Sequence, residues 1–189
     1  NTLRATARGL TRGWSFRSPV KGKTARYFRR LAWASSRFAL LTDLALFLMG
    51  AKLKQKGKLS GRFADALSWQ LFTFTTLRRF EAEGRPEADL PVVQWACEYS
   101  LQRVQEAFEG IYANFDAPVV GWLLRYPGRL WLRANPLSTG PSDSLDRAVA
   151  NAIQTPGEQY DRIATQGLAM PQEGKPGMGR LIKAWRLVS

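Results

Sequence analysis

The chain has 189 residues, 45% of them hydrophobic and 12% aromatic, which suits one cored domain and lies outside the disordered regime. It contains no histidine, which excludes Ser-His-Asp and Cys-His catalysis and the histidine-bearing zinc sites. Its one cysteine, Cys97, excludes an intrachain disulfide and suits a reducing compartment such as the cytoplasm.

The net charge of +13 is unevenly placed. Up to Lys58 there are 14 Lys/Arg and one acid, Asp43; from Leu59 onward there are 14 of each. A basic field at one end suits an anionic surface such as lipid headgroups, a phosphate-rich ligand or nucleic acid. It suits equally a solvated arm or a face docked on an acidic neighbouring domain.

Residues 1–23 form a basic arm with Arg4, Arg8, Arg12, Arg17, Lys21 and Lys23 and no acid. It has the composition of an organelle-targeting peptide and also of a linker. Asn1 is not an initiator methionine, so the N-terminus reads as a cut, and a linker from a missing upstream domain explains the arm as well as a targeting peptide does.

Residues 24–189 are expected to form one helical domain, a core bundle over 24–112 with peripheral helices over 118–189. The first helix is predicted over 24–49, where Tyr27, Leu31, Ala34, Phe38, Leu41, Ala45 and Leu48 recur at spacings of three and four. Leu40, Leu44 and Phe47 widen this stripe, which predicts burial on most sides of the second half. No segment spans a bilayer: the most apolar run, 38–51, has 14 residues and contains Asp43, against the ~20 apolar residues a spanning helix needs. Lys52, Lys54, Lys56 and Lys58 make a polar connector that suits the negative end of the preceding helix.

A second helix is expected over 60–83, with Phe63, Leu67, Leu71, Phe74 and Leu77 on its buried face and Gly84 as its stop. Asp89 is the expected N-cap of a third helix over 90–112, striped by Val93, Cys97, Ser100, Val104, Ala107 and Ile111. Short connectors predict antiparallel packing at shallow angles, with Leu41, Leu67, Leu71 and Val104 in the core. No period-two run is long enough for a strand, so the fold class is all-α.

Beyond Pro118 shorter helices are predicted: 119–132, broken or kinked at Tyr126-Pro127-Gly128; 142–153, started by Ser142 or Asp143; one from Pro156; and one over 178–188. The irregular stretch 133–141 should lie against another surface, that of a missing part of the polypeptide.

Four features invite a chemical reading. Asp43 and Asp65 sit in apolar helices, where an unpaired charge is costly, so they are read as structural acids paired to Arg37 or Arg62. Cys97, on an apolar stripe, reads as a small buried hydrophobe. The run Gly174 to Arg180 has a phosphate-loop flavour, but it is no Walker sequence and no strand precedes it, so it reads as a lead-in to the last helix. Trp122, Arg125, Arg129, Leu130, Trp131 and Arg133 interleave aromatic, aliphatic and cationic side chains. That mixture fits a segment in a membrane interface, and equally an interdomain or subunit contact.

The segment Gly50-Ala51-Lys52-Leu53-Lys54-Gln55-Lys56-Gly57-Lys58-Leu59-Ser60-Gly61-Arg62-Phe63-Ala64-Asp65-Ala66-Leu67-Ser68 resembles the corresponding stretch of the large bacterial acyl-CoA dehydrogenases of fatty-acid β-oxidation. Further blocks follow in the family's order: Leu77-Arg78-Arg79-Phe80-Glu81-Ala82-Glu83-Gly84-Arg85, Asp89-Leu90-Pro91-Val92-Val93-Gln94-Trp95-Ala96, Gly121-Trp122-Leu123-Leu124-Arg125 and Pro141-Ser142-Asp143-Ser144-Leu145. The resemblance runs from about Leu10 to the end and departs from the family pattern around 126–131.

It implies the C-terminal helical part of an FAD-dependent enzyme. Such an enzyme takes an α-proton from a medium- or long-chain fatty acyl-CoA with a glutamate and passes the β-hydride to FAD, giving a trans-2-enoyl-CoA. Its electrons then go to an electron-transfer flavoprotein. The flavin- and glutamate-bearing motifs lie upstream of anything here, so no catalytic or FAD-binding residue is carried over and the chain alone is expected to be inactive. The family's C-terminal region is linked to membrane association and subunit contacts, which implies a homodimer, peripheral on the inner membrane, with the enzyme's own catalytic domain as neighbour. A non-enzymatic basic membrane-surface adaptor is the alternative. A nucleic-acid binder is disfavoured, because the charge sits at one end and no recognition motif accompanies it.

Overall fold

The structure, a computed structural model, describes residues 18–155, 160 and 175–188. Among them there is no strand. Three long helices, α1 (Ala25–Met49), α2 (Gly57–Ala82) and α3 (Leu90–Asn114), make the bundle. Arg4, Arg8, Arg12 and Arg17, and most of the segment begun by Pro156, lie outside the described residues.

α1 and α2 run antiparallel. Thr24 donates to Glu81 Oε1 at 2.9 Å, and eleven residues on, Ser35 donates to Gln70 Oε1 at 3.0 Å. α3 returns along both, with Arg30 on Glu98 at 3.0 Å and the Trp69 ring edge-on to Tyr99. The turns follow from the sequence. Gly84, at φ +81°, ends α2 where a side chain would be strained, and Arg85 N–H closes back on Phe80 O at 3.0 Å. Asp89 stands at the N-cap of α3 without capping through its side chain, whereas Ser142 accepts from Leu145 N–H at the start of α6 (Asp143–Gln154).

The core joins Tyr27, Ala34, Leu41 and Ala45 of α1 to Leu77 of α2 and to Cys97, Leu101, Val104, Phe108 and Ile111 of α3. The α3 stripe is buried as its spacing predicts. Of the α2 stripe, Phe63 and Leu77 are buried and Leu67, Leu71 and Phe74 are not. Leu67 and Leu71 are 55% and 59% exposed, while Ala66, Gln70 and Thr73 face inward. Small and self-satisfied polar groups win that face because they let α2 approach its neighbours closely. Gln70 donates to Ala66 O at 3.0 Å and Thr73 to Trp69 O at 2.9 Å, so neither polar group is buried unpaired.

The second half of α1 is likewise less covered than its pattern predicts: Phe47 is 87% exposed, and Leu46 and Leu48 also face out. Asp43 and Asp65 are both exposed, so neither needs the arginine partner expected of a buried acid. Arg37 is instead a core residue, 6% exposed, its guanidinium 4.2 Å above the Trp33 ring and 5.7 Å from that of Phe108. Burial lowers its pKa. Arg62 lies beside Gly110 of α3.

By length and composition the stretch Ala25–Gln55 passes as a membrane span, with a window of mean hydropathy 1.4. Run length alone missed this. Tyr27, Ala34, Leu41 and Ala45 on its inward side are packed in the bundle core, while only 33% of that window is buried.

Candidate interaction surface

Past α3 the chain forms a helical arm: α4 (Pro118–Leu123), a π-turn (Leu124–Gly128) and α5 (Arg129–Ala134). The π-turn holds Pro127, whose missing N–H breaks the regular ladder where the sequence predicts a kink. The arm starts at the far end of α3 and returns beside it. Leu132 is fully buried and its carbonyl accepts from Gln105; Arg133 pairs with Glu109 at 3.2 Å. The following stretch, 135–141, continues along α3, with Leu137 fully buried and its N–H on Gln105 Oε1 at 3.2 Å. The surface under this irregular connection is thus the chain's own third helix, not a missing domain. α6 packs beyond it, Asp146 accepting from Trp95 Nε1 at 2.6 Å.

The arm turns one side outward. Val119, Trp122, Leu123, Tyr126, Leu130 and Trp131 are all exposed, Leu130 the most at 73%, with the Trp122 and Tyr126 rings 5.9 Å apart. Its arginines behave differently from the expectation that they sit on phosphates. Arg125 donates to Ala113 O at 3.1 Å and Arg133 is held by Glu109, while Arg129 Nε is buried and meets no protein acceptor. Arg125 and Arg133 fasten the arm to α3, and its outward side is left mainly aromatic and aliphatic.

Composition alone did not assemble the tip of the bundle. The 3-10 turn Gly50–Gln55 joins α1 to α2, and Lys56 hydrogen-bonds the Asp116 carboxylate just before the arm. That bond, then the charges of Lys56, Lys52 and Arg125, hold Asp116 below the usual carboxylate range. Phe47 and Leu48, the exposed Lys52, Lys54 and Lys58, and the start of the arm that carries Trp122 therefore share one end. The signal was in the sequence: four lysines directly after an apolar run that ends the helix.

Lys21 and Lys23 are exposed at the opposite end, a bundle length of roughly 35 Å away. There, with Arg26 and Arg29, they line an open cleft of about 500 Å³ that no acid enters. The structure thus separates the lysines of the N-terminal arm from Trp122 instead of gathering them into one patch.

Among the described residues the cleft at Lys21 and Lys23 has a cationic lining without an aromatic wall, and a further open pocket of about 350 Å³ lies between Arg62, Asp65, Trp69 and Arg103. Cys97 is buried away from both: burial, then the Glu98 charge, push its thiol up to about 12.

The described residues thus make a helical bundle with an aromatic arm and a cationic tip. The whole chain, residues 1–189, matches the family model described as acyl-CoA dehydrogenase, C-terminal, bacterial type, and the chain belongs to that family. No solved structure matches it.

Proposed function

We propose that this C-terminal domain of an acyl-CoA dehydrogenase holds a flavin enzyme of fatty-acid β-oxidation at an anionic membrane surface, through the bundle tip and the outer side of the arm. The catalytic part, carrying FAD and the glutamate base, acts on medium- or long-chain fatty acyl-CoA and passes electrons to an electron-transfer flavoprotein. Long acyl chains partition to bilayers, so docking there raises the local substrate concentration. The enzyme is then peripheral on the cytoplasmic side of the inner membrane.

The observation that carries the membrane reading is Phe47, 87% exposed next to a turn with the exposed Lys52 and Lys54. An aromatic ring left in water beside cations is the composition of an interfacial anchor. Each lysine near an anionic leaflet contributes roughly 1 kcal/mol, and salt screens that part but not the apolar one.

Co-sedimentation with vesicles of phosphatidylglycerol and phosphatidylcholine tests it. Binding is expected to need the anionic lipid and to weaken with salt. Phe47→Ser with Trp122→Ala is expected to remove what remains at high salt. Equal binding by the double variant would sink the aromatic anchor, and no sedimentation of either protein would sink the membrane reading. The purified chain is expected to be colourless; a flavin spectrum after desalting would place flavin binding in this domain after all.

A further inference from the structure

The cleft of about 500 Å³ lies where α1 begins, between the loop before that helix, its first turn and Gln94 of α3. Lys21, Lys23, Arg26 and Arg29 are its charged lining. Arg26 is partly engaged, 3.6 Å from Glu98 and over the Tyr27 ring. Lys21, Lys23 and Arg29 are exposed and have no ionic partner among the described residues.

Like charges this close repel, so the loop that brings them together has to be held. It is fastened to the α2–α3 turn. Arg85 donates to Lys21 O at 3.3 Å, Thr24 donates to Glu81 Oε1 at 2.9 Å, and Ala25 N–H closes on Gly22 O at 3.2 Å. Arg85 does so from φ +60°, the left-handed region that a side chain rarely adopts. Gly22, at φ +104°, bends the chain between the two lysines, and the space where its Cβ would stand is open. The nearby acids have partners of their own: Glu81 holds Thr24 and Arg85, and Glu98 holds Arg30 and Ser138. Glu87 borders Lys21 and Lys23 in a separate pocket of about 180 Å³.

We infer that this cleft binds an oligophosphate, an anion with two or more linked phosphate groups, and reads the phosphates without reading what they are attached to. Charge sets the number. One phosphate group carries about −1.5 to −2 at pH 7, so two linked groups match the three free cations and Arg26, whereas one leaves about half of that charge unmatched. Arg26 and Arg29 are three residues apart, about 4.5 Å along one side of α1, and a guanidinium takes phosphate oxygens in pairs. Ala25 and Arg26 open the helix and line the cleft, so the positive end of α1 adds to the same field. With no aromatic side chain in the lining, nothing is there to stack on a nucleobase. The concave shape favours a small anion over a flat layer of headgroups. This site stands at the far end of the bundle from Phe47 and does not depend on the membrane contact proposed there.

Equilibrium dialysis of the 189-residue chain against labelled pyrophosphate, at pH 7 and low salt, decides it. The expected dissociation constant lies between about 10 μM and 1 mM and rises with salt. ADP should bind within about threefold of pyrophosphate, and orthophosphate at least about tenfold more weakly. Lys21→Glu with Lys23→Glu, both at exposed positions, should stay folded by circular dichroism and weaken binding at least about tenfold. Arg147→Glu with Arg180→Glu makes the same change in net charge at exposed positions outside the cleft and should alter binding by less than about threefold. No binding of pyrophosphate overturns the inference, and so does an equal loss in the two double variants, which would make the binding one of net charge alone. Orthophosphate binding as tightly as pyrophosphate overturns it as well. Should phosphatidylglycerol vesicles bind the chain through Lys21 and Lys23 while pyrophosphate neither binds nor competes, the cations belong to lipid headgroups and the oligophosphate site is refuted.

Discussion

Replacing Leu77 and Leu71 by alanine, one at a time, measures how α2 is rotated in the bundle. The two leucines lie six residues apart on one helix and are chemically identical, but Leu77 is fully buried and Leu71 is 59% exposed. Truncating a fully buried leucine costs about 2–5 kcal/mol, the lost transfer energy plus the cavity left behind. Leu71 keeps only about two-fifths of its surface covered, so its share of the ~1.5–3 kcal/mol of full burial is about 1 kcal/mol or less. Alanine's higher helix propensity offsets a little of that. In a chain of this size each kcal/mol moves Tm by about 2–4 °C, so Leu77→Ala should lower it by about 4–20 °C and Leu71→Ala by no more than about 4 °C. Urea unfolding followed by circular dichroism separates the two. If Leu71→Ala costs as much as Leu77→Ala, the sequence-predicted stripe through Leu67 and Leu71 is the buried one and the rotation described above is wrong.

Gly121 and Gly110 offer a second contrast. A Cβ on Gly121 would stand 2.3 Å from the Phe115 carbonyl oxygen, which cannot step aside, whereas one on Gly110 would meet only the side chain of Arg62. Gly121→Ala should therefore destabilise by about 1–3 kcal/mol or more and Gly110→Ala by less than about 1, measured by thermal unfolding. Cys97 should resist a thiol reagent at pH 8 in the native chain and react at once in denaturant, because its thiol, pushed up to about 12, stays protonated there; labelling of the folded protein at the denatured rate would contradict its burial. Asp116 titrates below the usual carboxylate range, so its contribution is present above the ordinary carboxyl pKa of ~3.9 and fades as pH falls through the lower folded value. A carbon-detected NMR titration of Lys56→Ala should return Asp116 upward, and an unchanged midpoint would remove Lys56 as the cause.

The three long helices were legible because their apolar spacing runs for over twenty residues each, and two of their ends because Gly84 and Asp89 stand where a stop and a cap belong, as Ser142 does for α6. The rotation of α2 was not. Spacing counts leucines, while the bundle buried Gln70 and Thr73, whose polar groups close on their own helix and so cost nothing unpaired. Arg37 escaped for a related reason: a guanidinium that can lie flat on Trp33 reads in sequence like any surface cation. Of the candidate surface, the aromatic side chains of the arm could be read off directly. Their separation from Lys21 and Lys23 could not, since it depends on which end of α3 the arm leaves.

The π-turn has a consequence for how the arm can change over time. Each residue of a regular helix turns the next by about 100°, so the wider turn at 124–128 shifts the phase of everything after it relative to everything before. Trp122 and Leu123 take their outward heading from the end of α3, whereas Leu132 takes its inward one from the seat beside Gln105. The turn works as a phase joint between these two settings. Insertions or deletions there would re-aim the aromatic half while the anchored half stays put, and the outward side of the arm can drift in sequence without the bundle having to follow.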